Sequence, residues 1–123
     1  MIAAATFASL TAKKVAGVHD HTAGQDLRIA AECRGDQLQG FDGDRGVKFG
    51  GTFPEIYDEG EKVFVSFERK GDRIEGYDRQ SATFYTAHVT DDLVQVYDHG
   101  AAAWFAYDVQ DPQSGRSYHR AAD

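Results

Sequence analysis

The chain reads as an all-β protein, an up-and-down antiparallel meander of about ten short strands built from hairpin repeats of about 20 residues and curled into a barrel or half-barrel. Three observations lead there. First, the segment Gly35-Asp36-Gln37-Leu38-Gln39-Gly40-Phe41-Asp42 returns as Gly71-Asp72-Arg73-Ile74-Glu75-Gly76-Tyr77-Asp78, and more loosely as Asp91-Asp92-Leu93-Val94-Gln95-Val96-Tyr97-Asp98. Second, an aromatic-Asp pair closes each copy, and Tyr57-Asp58, Tyr77-Asp78 and Tyr97-Asp98 stand 20 residues apart. Third, apolar and polar side chains alternate between these marks, as they do on a strand with one covered face.

The N-terminal stretch is the hardest element to place. Ala-rich residues 2–16 have helix propensity. Against that, Ala5-Thr6-Phe7 echoes Ala82-Thr83-Phe84, and Val18-His19-Asp20-His21 echoes Val96-Tyr97-Asp98-His99. The echo favours a strand hairpin over residues 1–16, with a short helix as its competitor. The next hairpin turns at Arg34-Gly35, setting Ala31 opposite Leu38 and Ile29 opposite Gly40. A turn at Lys70-Gly71 sets Arg69 opposite Asp72, Glu68 opposite Arg73, Phe67 opposite Ile74, Val65 opposite Gly76 and Phe64 opposite Tyr77. A turn at Asp91-Asp92 pairs Val89 with Val94 and Ala87 with Val96, and a last strand follows from Ala102 to Val109. Gln80 falls on an exposed turn. Residues 1–109 make one domain, and Pro112, Ser114 and Gly115 mark residues 110–123 as a C-terminal tail.

Alternation sorts the side chains onto two faces. Ile29, Ala31, Leu38, Val63, Val65, Phe67, Ile74, Tyr85, Ala87, Val89, Val94, Val96, Phe105, Tyr107 and Val109 form the core face, with Gly40 and Gly76 leaving room for bulky neighbours. The other face carries Tyr57, Phe64, Tyr77, Phe84, Tyr97 and Trp104 in one row. Such a row either stabilises the sheet by cross-strand pairing or binds a ligand or partner. These six are the candidate binding residues.

Asp20, Asp42, Asp58, Asp78 and Asp98 each end an equivalent strand and should gather at one rim, each shaping its return turn by accepting nearby backbone N–H groups. A carboxylate ring could hold a cation, but turn chemistry accounts for it. His19-Asp20-His21 is the densest cluster of metal-type ligands, and His99 repeats the slot of His21. No third ligand is set by spacing, so neither a metal nor a cofactor is expected. The run Asp42-Gly43-Asp44-Arg45-Gly46 fails as an EF-hand, since Phe53 stands where a bidentate Glu is required. His88, beside Gln95, is the other candidate base. No serine sits in a nucleophile elbow and no glycine-rich phosphate loop occurs, so no catalytic residue is assigned. Arg34-Gly35-Asp36 and Lys70-Gly71-Asp72 share hairpin-turn chemistry, which disposes of an adhesion reading of the first.

Composition narrows the remaining classes. A net charge of −7 argues against nucleic acid, and no run approaches the length of a membrane helix. The single cysteine, Cys33, allows no intramolecular disulfide and occupies a hairpin-strand position. The opening residues lack the basic start of a secretory signal, so a cytoplasmic protein is expected. The leading expectation is a non-catalytic interaction module whose aromatic row docks another protein or a second copy of the chain. A small-ligand-binding barrel is the alternative, and an enzyme using His88 or the His19–His21 pair the second alternative. The curvature of the sheet separates them: the row outside on a wall, the row lining a cavity of about 300 Å³ or more, or an imidazole on a buried carboxylate.

Overall fold

A computed structural model of the chain describes residues 1–79 and 81–110. Gln80 and the expected tail with Pro112, Ser114 and Gly115 lie outside the described residues.

The first element corrects the sequence reading. Residues 2–11 form helix α1 (Ile2–Thr11), not a strand hairpin. Alanine is the strongest helix former, and this run lacks the β-branched density that favours a strand. Every residue from Ala3 to Ser9 is buried, so the helix is enclosed on all sides rather than lying on a surface. The echo of Ala82-Thr83-Phe84 is therefore local composition only: Phe7 is buried while Phe84 is exposed. Thr11 Oγ1 donates to the Phe7 carbonyl at 2.7 Å, and Ala12, in the left-handed region at φ 58°, ends the helix.

Twelve strands follow: β1 (Gly17–Asp20), β2 (Gln25–Leu27), β3 (Ile29–Arg34), β4 (Gln37–Asp42), β5 (Val47–Thr52), β6 (Glu55–Asp58), β7 (Val63–Ser66), β8 (Glu68–Lys70), β9 (Arg73–Asp78), β10 (Thr83–Thr90), β11 (Leu93–Asp98) and β12 (Ala103–Gln110). All pair antiparallel in one sheet of order β2-β1-β12-β11-β10-β9-β7-β6-β5-β4-β3, with β8 also on β9. The meander is as expected, and it is nearly closed. Val15 exchanges backbone bonds with Ala31 of β3 at 2.8 and 3.1 Å, while the adjacent Ala16 N–H donates to Gln110 of β12 at 2.7 Å. Two consecutive residues thus bond to both sides of the gap in the sheet. About eight strands is the size at which a barrel fills itself with its own side chains. A wider sheet leaves a lumen, and α1 packs into it against β3, β4, β9, β10, β11 and β12.

The hairpin registers differ by one turn residue at two sites. The turn residues are Gly35-Asp36 and Gly71-Asp72, so Ala31 faces Gly40, Cys33 faces Leu38, Arg69 faces Ile74 and Val65 faces Asp78. A positive φ is needed at the first residue of these turns, and glycine supplies it: φ is 61° at Gly35 and 66° at Gly71. The expected cross-strand charge pairs become along-strand ones, Lys70 with Glu68 and Arg73 with Glu75. At Asp91-Asp92 the register is as read, with Val89 opposite Val94 and Ala87 opposite Val96. Moving a turn by one residue moves each partner by two, so side chains keep their face. All fifteen expected core side chains are accordingly buried or half-buried. Gly40 makes room for the Phe49 ring, and Gly76 for the Tyr85 phenol.

Candidate functional site

The aromatic row lies on the outer wall. Its six residues form three cross-strand pairs: Tyr57 with Phe64 across β6–β7, Tyr77 with Phe84 across β9–β10, and Tyr97 with Trp104 across β11–β12. Ring centroids in the pairs are 4.9, 4.8 and 5.0 Å apart with tilted planes, the geometry in which aromatic faces and edges attract. In each pair the tyrosine is half-buried, while its partner stands out: Phe64 is 46% exposed, Phe84 64% and Trp104 56%. Cross-strand pairing alone therefore does not cover the row. It leaves three large apolar rings facing solvent on six adjacent strands.

Polar groups between the pairs are already engaged. The Arg79 guanidinium holds Glu55 in two bonds of 2.9 and 3.1 Å and donates to the Phe64 carbonyl. His99 sits edge-on to Tyr97 with Nε2 3.0 Å from Thr86 Oγ1. His88 leans over Trp104 at 6.1 Å. Tyr57 borders a shallow outer groove of about 1100 Å³ that also takes in Phe41 and Gly50. The other five aromatics of the row line neither this groove nor the cavity at the end of the barrel described below.

The five rim aspartates do gather, as the sequence predicted. Asp20, Asp42, Asp58, Asp78 and Asp98 all line a cavity of about 560 Å³ at the end of the barrel where α1 begins. Four of the five side chains accept turn amides. Asp20 Oδ1 takes Thr22 and Ala23, Asp42 Oδ1 takes Asp44 and Arg45, Asp58 Oδ1 takes Gly60, and Asp98 Oδ1 takes Gly100 and Ala101. Each rim turn also places the residue four after its Asp in the left-handed region: Gly24, Gly46, Lys62, Ala82 and Ala102, with φ from 53° to 67°. Arg45 bridges two rim members, Nε to Asp42 at 2.6 Å and NH2 to Asp58 at 3.2 Å. Burial alone would raise the Asp42 carboxyl, but the Arg45 guanidinium and backbone N–H outweigh it and hold the acid below the usual carboxylate range.

The cavity itself was not read from the sequence. The signal was there: four of the five aspartates follow an outward Phe or Tyr and Asp20 follows His19, so alternation turns each Asp inward, and an inward ring needs a lumen. What hid the lumen was the strand reading of α1.

The histidines form two carboxylate pairs on the outer face of β1. His19 Nδ1 lies 2.7 Å from Asp26, and His21 Nε2 lies 2.6 Å from Asp108. Both carboxylates are partly solvated, with side chains 27% and 29% exposed. Among the described residues no three His, Cys, Asp or Glu side chains converge as metal ligands. Cys33 donates to the Gly35 carbonyl at 3.3 Å, and burial raises its thiol pKa, the reverse of nucleophile activation. Among the described residues no helix is long and apolar enough to cross a membrane.

No family model, no curated protein and no solved structure matches this chain.

Proposed function

We propose that the protein is a non-catalytic interaction module whose aromatic row docks a second copy of the chain. The single observation that carries this is the outward placement of Phe64, Phe84 and Trp104, each roughly half exposed or more, in one line of aromatic pairs. Contiguous apolar surface of this kind marks association sites. Phe84 is the most exposed of the three and stands on β10, with Tyr77 on one flank and the Tyr97–Trp104 pair on the other. A two-fold axis through that point lets each copy cover the other's rings, and two-fold pairing is the commonest oligomeric arrangement.

Charge supports this occupant. The chain carries −7 overall, but the charges beside the row are already neutralised within one copy, Arg79 by Glu55 and Arg73 by Glu75. Two such faces meet without stacking unpaired like charges. Area sets the strength. Six strands at about 4.8 Å and up to eight residues at about 3.4 Å give a wall of roughly 24 by 27 Å. That is about 650 Å², somewhat under the roughly 800 Å² per partner of a standard interface. The pair is therefore a reversible, concentration-dependent dimer.

The single tryptophan, Trp104, reports on this surface. On dilution its emission should shift to the red as the partner leaves, and Phe84→Ser should show the red-shifted spectrum at every concentration. An emission maximum that is independent of concentration in both proteins removes the proposal. We also propose a cytoplasmic setting, supported by the lone cysteine, which leaves no intrachain disulfide.

A further inference from the structure

We infer that the barrel mouth is a second, separate site that binds a small organic cation, an amine carried on an apolar body. The cavity there holds about 560 Å³, within the size range of small-molecule pockets. Its walls are apolar, with Val18, Val63, Val65, Val96 and Phe105 among them, so it can shelter a hydrocarbon or ring. Its opening is predominantly acidic. Besides the five rim aspartates it includes Asp44 and Glu61, against the Arg45 guanidinium and the buried α-amino group of Met1, which faces the charges of Asp42, Asp58 and Asp78.

The rim is not uniform, and its asymmetry says where the cation sits. Asp42, Asp58 and Glu61 share Arg45, so that side of the mouth is already paired. Asp20 and Asp98 are different. Each gives Oδ1 to two turn amides, and neither forms an ion pair with a described residue. Asp20 of β1 stands opposite Tyr107 of β12, and Asp98 of β11 opposite Ala103, four residues away along β12, with Phe105 and Tyr107 both lining the cavity. Two separate carboxylates therefore border the aromatic part of the lining. That combination binds an ammonium group through charge-assisted hydrogen bonds and the negative faces of the rings. An anion would meet seven carboxylates, and a neutral ligand would forgo the rim altogether.

Isothermal titration with three probes of one shape tests this: 2-phenylethylamine, 2-phenylethanol and phenylacetate. The amine should bind about tenfold or more tighter than the alcohol, and phenylacetate should not bind. Asp98→Asn and Asp20→Asn keep the turn-capping oxygen and remove the charge, so each should weaken the amine several-fold while leaving the alcohol unchanged. Asp108→Asn, on the outer wall, should change neither. Val96→Phe narrows the cavity and should abolish binding; where that variant loses the wild-type circular dichroism spectrum, Val63→Phe takes its place. Equal affinity for amine and alcohol, silence of the whole series, or amine binding indifferent to both Asn variants would overturn the inference. So would a saturable calcium titration with no heat from the amine, since the rim would then hold an inorganic ion.

Discussion

Gly76→Val is the sharpest test of how the sheet is packed. Gly76 stands opposite Tyr85, pointing inward. The Tyr85 ring passes through the space a side chain would take, and its hydroxyl donates to the Ser66 carbonyl at 2.6 Å. A Cβ at position 76 would land on that carbonyl oxygen and on the phenol. Two costs follow. Overpacking a tight interior costs about 1–3 kcal/mol, and displacing the phenol from its acceptor costs about another 1 kcal/mol. The sum is about 2–4 kcal/mol. With a urea slope of about 2 kcal/mol per molar, the midpoint should fall by about one to two molar units. Chemical denaturation followed by circular dichroism measures this directly. Gln95→Val, at an exposed outward position of β11, should shift stability by no more than about 0.5 kcal/mol. A Gly76→Val midpoint equal to wild type would refute both the inward placement of residue 76 and the register that sets it against Tyr85.

Two further outcomes are expected. Ala102 occupies the left-handed slot of its rim turn, where Gly24 and Gly46 stand in sister copies. Ala102→Gly should therefore raise stability by about 0.5–1 kcal/mol and Gly46→Ala lower it by a similar amount, both read as urea midpoints; the same sign for both changes would break the equivalence of the five turns. Burial, with a smaller push from Asp78, holds the Tyr85 phenol far above its usual range. A phenol raised on folding contributes stability that is complete below the unfolded value of about 10 and is lost as pH rises beyond it. The fall in urea midpoint above that pH should be shallower in Tyr85→Phe, and an unchanged slope would show that the hydroxyl is not desolvated.

Much of this was legible in the residues, for a reason that parity makes plain. Which side chains face inward depends on alternation alone. The core set and the aromatic row therefore survived a one-residue misplacement of the turns at Gly35 and Gly71. The exact register was harder, because Lys70-Gly71 and Gly71-Asp72 both offer a glycine to a two-residue turn. The rim was legible too, since a ring-bearing residue followed by Asp ends β1, β4, β6, β9 and β11 alike. What local pattern could not supply was α1. Thr6 and Phe7 resemble a strand fragment by composition, and only the demand of a wide barrel for a filled lumen decides for the helix. The mouth cavity was hidden with it, because it exists only where α1 stops short of the rim.

The claim on which the account turns is that Phe84 and its neighbours are a face for a second copy. Sedimentation velocity of the full chain over a hundredfold concentration range tests it most directly. The account predicts a weight-average coefficient that climbs from monomer to dimer with increasing concentration, and a Phe84→Ser protein that stays monomeric throughout while keeping the wild-type circular dichroism spectrum. A wild-type protein that sediments as monomer at the highest concentration, or a Phe84→Ser protein that dimerises as wild type does, would contradict it.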